Sequence, residues 1–365
     1  MAPAVQAPFH GPRLMRASAR TAQDMIRNFV KLVLLLIAGF IAFYYLFPGK
    51  VAQMGLDTER SRSHLSRYET DIPSGFHIVY LDGGRGEPLV LLHGIGADKD
   101  NWTRAARFLT PHYRVIALDL PGFGESSKPA SAHYRIEDQV QYLHEFVQKL
   151  GLQDVSLGGN SMGGEIAAAY AARYPGEVKT LWLLDPGGVA SAPPSEMQQR
   201  IAKGERVPIF ASTPEEFDQV LDFVFTKKPF IPGAVKASMA RRAAENYRLD
   251  LQILKEIKTS PSLEKVLAND AVKIPVRIVW GEQDRVLNPA SAKILATLLP
   301  DASIDMVPGV GHLPMAEQPK ATALDYVAWR ESLLHRSGAA PARVPAPQPA
   351  APQAAARAAA GERSR

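Results

Sequence analysis

Apolar positions along the chain fall into three regimes. The first is one long run: residues 32–47 carry no charge, and 29–47 makes nineteen residues if Lys31 snorkels its ammonium outward. At a rise of about 1.5 Å per residue, nineteen residues cover about 28 Å, close to the roughly 30 Å of bilayer hydrocarbon. Tyr44 and Tyr45 stand where an interfacial aromatic belt would hold them. No small-x-small cleavage site follows the run, so it reads as an uncleaved membrane anchor and not a removed signal.

The second regime alternates short apolar runs with helical stretches. The runs at 76–81, 88–93, 114–119, 154–158, 179–184, 276–280 and 303–307 are mostly continuous and β-branched or Leu-rich. Strands buried on both faces of a largely parallel sheet have that composition. Helical patterns at about 99–110, 136–150, 162–174, 289–299 and 317–335 separate many of them. The alternation predicts an α/β fold with a mostly parallel, doubly wound sheet. It breaks once. About ninety residues between 184 and 276 show no convincing strand but carry Phe210, Phe217, Phe223, Phe225 and Phe230. That length is too great for a loop, which predicts a helical cap over about 187–273, inserted before the late strands.

The third regime is polar. Residues 48–72 read as a stem, and 336–365, rich in Ala, Pro and Gln, as a disordered tail. The expected layout is a basic segment 1–28, an anchor 29–47, a stem 48–72, a folded domain 73–335 and the tail.

Charge changes this picture in two places. The chain holds 42 basic and 37 acidic residues, a net charge of +5. Ten of the basic and two of the acidic residues lie in 1–31 and 336–365, leaving 32 against 35 between them. The positive excess sits in the tails, so a basic face for nucleic acid is not expected. Arg16, Arg20, Arg27 and Lys31 precede the anchor, while Lys50, Arg60 and Arg62 behind it are diluted by Asp57 and Glu59. The positive-inside rule then places the N-terminus in the cytoplasm and the large domain on the other side. The chain has no cysteine, which excludes disulfides, thiol catalysis and Cys-based metal sites.

Candidate chemistry begins at Gly159-Asn160-Ser161-Met162-Gly163, a G-x-S-x-G element between an apolar strand and a helical stretch. That context turns the chain sharply and lifts a serine hydroxyl above the sheet as a nucleophile. Backbone N–H groups at the helix start favour negative charge, so Met162 is expected to supply one oxyanion donor. Ile95, in the Gly94-Ile95-Gly96 loop after the strand 88–93, is expected to supply the other; His93 is expected to hold that loop. A serine needs a base, and the base an orienting acid. His312 lies in a Gly-rich loop after the strand 303–307 and fits as the base. Asp284 follows the strand 276–280 and leads as the acid, with Asp185 and Glu282 as alternatives. Asp119 reads as a strand-end residue fixing its own turn.

Metal and nucleotide motifs such as H-E-x-x-H, G-x-x-x-x-G-K-[ST] and a strand-to-helix G-x-G-x-x-G do not occur, so neither cofactor nor metal is expected. The cap shows no obvious cluster of Arg or His for an acidic substrate.

These pieces together resemble the α/β-hydrolase fold enzymes over about 73–335. The likeness lies in LVLLHGIGADKDNW (89–102), LDLPGFGES (118–126), GGNSMGGEIAAAYAARYP (158–175), STPEEF (212–217), IVWGEQDRVL (278–287) and GVGHLPMAEQP (309–319). Within that family the chain resembles membrane-anchored monoacylglycerol lipases and related bacterial lipases and esterases. The resemblance implies a Ser161–Asp284–His312 triad, Ile95 and Met162 as oxyanion donors, and a lipid ester as substrate. Carbon–carbon bond hydrolases share the GNSMGG elbow and form the alternative, with broad carboxylesterases. Acyl-chain length, head group and oligomeric state are not specified by the pattern.

Overall fold

The protein is described here from a computed structural model covering residues 12–268 and 272–336, with side chains from Met25 onward. Most of the expected basic segment's side chains, and the expected tail from 337, lie outside the described residues. The chain opens with helix α1 (Pro12–Leu46), whose Met25–Leu46 portion is long and apolar enough to cross a membrane and is not buried against the rest of the protein.

An eight-stranded sheet forms the centre, in the order β1-β2-β4-β3-β5-β6-β7-β8. Its strands are β1 (Leu65–Asp71), β2 (His77–Gly84), β3 (Pro88–Leu92), β4 (Arg114–Leu118), β5 (Val155–Asn160), β6 (Val178–Leu184), β7 (Val276–Gly281) and β8 (Ala302–Val307). β1 and β2 run antiparallel at one edge, and β4 to β8 are mutually parallel. β3 shows why the inner strands are apolar at every position. Val90 and Leu92 enter a core with Phe146 and Ile166, whereas Leu89 and Leu91 enter a second core with Trp102, Trp182 and Tyr326. Side chains alternate between two covered faces, so both sets must be apolar. Helices α4 (Ile136–Lys149) and α5 (Met162–Arg173) cover the first face; α3 (Thr103–Leu109) and, late in the chain, α12 (Pro319–Arg336) cover the second.

Residues 48–72 are not a stem. They form helix α2 (Pro48–Arg62) and the edge strand β1. Arg60 is buried and grips Asp100 with two bonds, at 2.8 and 2.6 Å, and Ser63 Oγ donates to the Thr103 carbonyl at 2.6 Å. The polar composition of α2 conceals this: Arg60 holds it by an ion pair, and its apolar contact is only a short patch in which Ala52, with Val51 and Leu56, packs against Ala234 and Val235 of the later helix Gly233–Ile257. β1 shows no apolar alternation because, as an edge strand, it buries only Leu65.

Between β6 and β7 lie helices α6 (Glu196–Ala202), α7 (Pro214–Val224), α8 (Gly233–Ile257) and α9 (Leu263–Val266). Helix α10 (Ser291–Leu298) precedes β8, and α11 (Pro314–Glu317) follows the His312 loop.

Candidate active site

Ser161 sits between the last residue of β5 and the first of α5, with φ 55° and ψ −121°. A non-glycine residue in that region is strained by about 1–3 kcal/mol and persists only where its surroundings hold it. They do. Its N–H donates to the Leu184 carbonyl at 3.0 Å, and its carbonyl accepts from the N–H of Gly187 at 2.9 Å and of Glu165 at 3.1 Å. The flanking glycines are steric necessities. A Cβ on Gly159 would stand 2.2 Å from the Gly163 carbonyl oxygen, and one on Gly163 would stand 2.4 Å from that of Leu92.

His312, in the loop after β8, and Asp284, in the loop after β7, are both buried. The His312 Nδ1 lies 2.8 Å from Asp284 Oδ2. Asp284 Oδ1 accepts the N–H groups of Val286 at 2.8 Å and Leu287 at 3.1 Å, which fixes the carboxylate. The His312 backbone N–H donates to Val224 O at 2.9 Å, tying the loop to the end of α7. Ser161, His312 and Ile95 border one cleft of about 660 Å³. Among the described residues, no acceptor takes the N–H of Ile95 or of Met162.

The other acids weighed from sequence separate clearly. Glu282 is exposed. Asp185 is fully buried, accepts the Gly281 N–H at 2.9 Å, and lies beside Asp284 and His312, with ligand atoms of the three within 4.8 Å of one another. Burial, reinforced by the Asp284 charge, pushes the Asp185 carboxyl well above the usual carboxylate range. Two adjacent buried carboxyls cannot both ionise cheaply, which favours the protonated form of Asp185. These side chains could reach a cation, but the imidazole nitrogen nearest it is already committed to Asp284.

His93 donates from Nδ1 to Gly94 O at 2.7 Å and accepts the Leu120 N–H on Nε2 at 3.0 Å, with its pKa lowered by burial. Asp119 accepts from the Lys99 N–H at 2.8 Å, Lys99 Nζ at 2.7 Å and the Glu125 N–H at 2.7 Å, away from the serine. Two positioning residues were not singled out from sequence. Asn160 Nδ2 donates to Leu184 O at 3.1 Å and His312 O at 3.0 Å, joining the elbow to the histidine loop. Glu317 accepts from the N–H groups of Gly311, Thr226 and Lys227, at 3.1, 3.1 and 2.7 Å. Both lie inside the quoted motifs, yet nothing in their spacing announces the bonds.

The cleft wall facing α7 is apolar, with Phe217, Leu221, Val224 and Phe225, and it continues past Met54 of α2 to Phe40 and Phe43 of α1. Of the five cap phenylalanines, Phe217, Phe225 and Phe230 border the cleft; Phe210 and Phe223 are buried outside it. One cap cation does reach it. Arg242 borders the cleft from α8, but it is paired with Asp98 at 3.2 Å.

A family model described as the alpha/beta hydrolase fold matches residues 87–319. Lipase 1 of Psychrobacter immobilis is 43% identical over 279 residues, 75% of this chain and 87% of the relative. The monoacylglycerol lipase ABHD6 of Homo sapiens is 31% identical over 264 residues, 67% of this chain and 77% of the relative. Among solved structures, a membrane phospholipase A described as a bacterial virulence factor superposes with a TM-score of 0.76 at 38% identity, covering 84% of this chain and 98% of that one. The chain belongs to the α/β-hydrolase family and is an ester hydrolase similar to its lipases.

Proposed function

We propose that the protein cleaves carboxylic esters of membrane lipids through an acyl-enzyme, with Ser161 as nucleophile, His312 as base and Asp284 as its orienting acid. His312 takes the Ser161 proton as the oxygen attacks the ester carbonyl. The N–H groups of Ile95 and Met162 hold the oxyanion, and His312 then protonates the leaving alcohol. Water repeats the sequence on the acyl-enzyme and releases the fatty acid. Each oxyanion donor contributes a factor of about 10²–10³ in rate. Asp284 offsets the imidazolium charge and fixes the Nδ1–H tautomer through the 2.8 Å contact.

One observation carries the lipid reading: the cleft beside Ser161 is also lined by Phe40 and Phe43 of the helix long enough to span a membrane. With Met54, Leu221 and Val224 they give an acyl chain apolar surface in that cleft. The pairing of Arg242 with Asp98 weighs against the carbon–carbon hydrolase alternative, whose carboxylate substrate needs a free cation. We also place the N-terminus in the cytoplasm and the catalytic domain across the membrane, on the charge asymmetry around α1. Because the chain lacks cysteine, single introduced thiols and an impermeant label report that sidedness directly.

A p-nitrophenyl ester series tests the substrate class. Each methylene buried in the cleft adds about 0.8 kcal/mol, so kcat/KM should climb about fourfold per carbon until the pocket fills. A flat or falling profile from acetate to octanoate removes the lipid reading and leaves a broad esterase.

A further inference from the structure

The cleft has a second wall of opposite character. Along α8, Arg242, Asn246 and Asp250 follow one another at helical spacing and all border the cavity. Arg242 has its partner in Asp98. Asp250 has none among the described residues: it is 4% exposed, none of their groups donates to either carboxyl oxygen, and its Oδ1 is fully enclosed. Its Oδ2 faces the oxyanion loop, 3.7 Å from where a Cβ on Gly96 would stand. Lys128, the cation nearest in effect, spends its ammonium on the carbonyls of Gly124 and Ser126. Burial pushes the Asp250 carboxyl up to about 7, which marks how poorly the protein itself satisfies it.

A buried carboxyl without hydrogen bonds is costly, and its position beside the reacting centre gives the cost a use. The acyl chain is accounted for by the apolar wall, so the polar wall is left for the alcohol half of the ester. We propose that Asp250, with Asn246, forms a subsite that accepts hydrogen bonds from free hydroxyls on the alcohol moiety, selecting polyol esters such as monoacylglycerols over simple alkyl esters. This rests on the acyl-enzyme reading above. An alcohol bearing a phosphate would be repelled by the Asp250 carboxylate, and Arg242 on the same helix face is already paired with Asp98.

The same subsite should govern the reverse step. Glycerol bound there attacks the acyl-enzyme carbonyl, its proton passes to His312, and Ser161 departs, recovering that proton from His312. Acyl-enzyme is generated from p-nitrophenyl octanoate on the full-length protein in detergent, and glycerol, methanol, 1-propanol and choline compete with water for it. The wild-type protein should give monooctanoylglycerol in preference to the methyl and propyl esters. Asp250→Leu should cut the glycerol-to-methanol partition ratio about tenfold, the worth of a hydrogen bond to a charged acceptor, and Asp250→Asn about threefold. The ratio is internal to each variant, so a poorly folded fraction does not distort it. Should Asp250→Leu not fold, Asp250→Asn, which keeps the shape, still reads the effect. An unchanged ratio in both variants, or a preference for choline over glycerol, overturns the proposal. Failure to form any acyl-enzyme overturns the catalytic reading instead, and the two failures are distinguished by the p-nitrophenolate burst.

Discussion

The cleft is built from two sides that obey different rules. On the sheet side, Ser161, Asp284 and His312 project from the ends of β5 and the loops after β7 and β8, and backbone bonds hold each of them. Glycine is enforced there by approaches of 2.2 and 2.4 Å to carbonyl oxygens, and Ser161 is kept at a positive φ. On the cap side, the wall consists of side chains from α7 and α8, with Phe230 81% exposed at the mouth. Such a wall can change residue by residue without disturbing the backbone beneath it. On the proposed mechanism, chemistry is placed where geometry is dictated, and choice of substrate where it is free.

The largest effects should come from the sheet side. Ser161→Ala should abolish ester hydrolysis and fluorophosphonate labelling with no loss of thermal stability, since only a hydroxyl is removed. Asp284→Asn should lower kcat by about 10⁴, because the amide favours the wrong imidazole tautomer. Asp185→Asn should cost far less: burial and the Asp284 charge already favour its neutral form, and the imidazole Nδ1 is taken by Asp284. Steady-state kinetics on the three variants check the ranking. If Asp185→Asn proves the more damaging, the orienting acid is wrongly assigned.

The cap side should respond in substrate preference. Phe225 borders the cleft, whereas Phe223 is buried under the guanidinium groups of Arg285 and Arg200, at 4.5 and 5.1 Å from its ring. Phe225→Ala should flatten the chain-length series, lowering octanoate relative to acetate turnover by about tenfold. Phe223→Ala should leave that slope intact but destabilise the protein by about 3 kcal/mol, read by denaturant unfolding. Equal effects of the two substitutions on the slope would erase the distinction between lining and support.

The same division explains what could be read in the sequence. The strands β3 to β7 announce themselves because burial on two faces demands largely apolar runs. The elbow does so because its glycines cannot be replaced. Asp284 and His312 were legible through their order and their positions after strands. β1 and α2 were not, since the edge strand buries only Leu65 and α2 is held by Arg60 and a short patch around Ala52. Asp185 could be weighed as an acid, but its partnership with Asp284 depends on two loops meeting ninety-nine residues apart in the chain. Asp250 is one of three acids on a long helix; only the fold shows that it has no partner among the described residues. Cap phenylalanines split three to two between cleft and core, a division that periodicity does not encode.

A last effect, visible only as pH changes, lies where the two sides join. Glu165 of α5 is buried against the backbone that leads from β6 into the cap; a Cβ on Gly188 would stand 2.7 Å from its Oε1. Burial, with minor contributions from Glu137 and Glu264, raises its pKa from 4.5 to about 8. The folded state therefore holds this proton where the unfolded chain has lost it. Its contribution to stability is fully present below about pH 4.5 and declines as pH rises through 8, at up to about 1.4 kcal/mol per pH unit for a full proton difference. Glutamine has nearly the same shape and no charge to desolvate, so Glu165→Gln should lack this decline. The variant's Tm should match the wild-type value near pH 5 and exceed it by several degrees at pH 9. A constant offset across that range would show that Glu165 does not titrate in the fold, and the junction between sheet and cap would then be as indifferent to pH as an apolar contact.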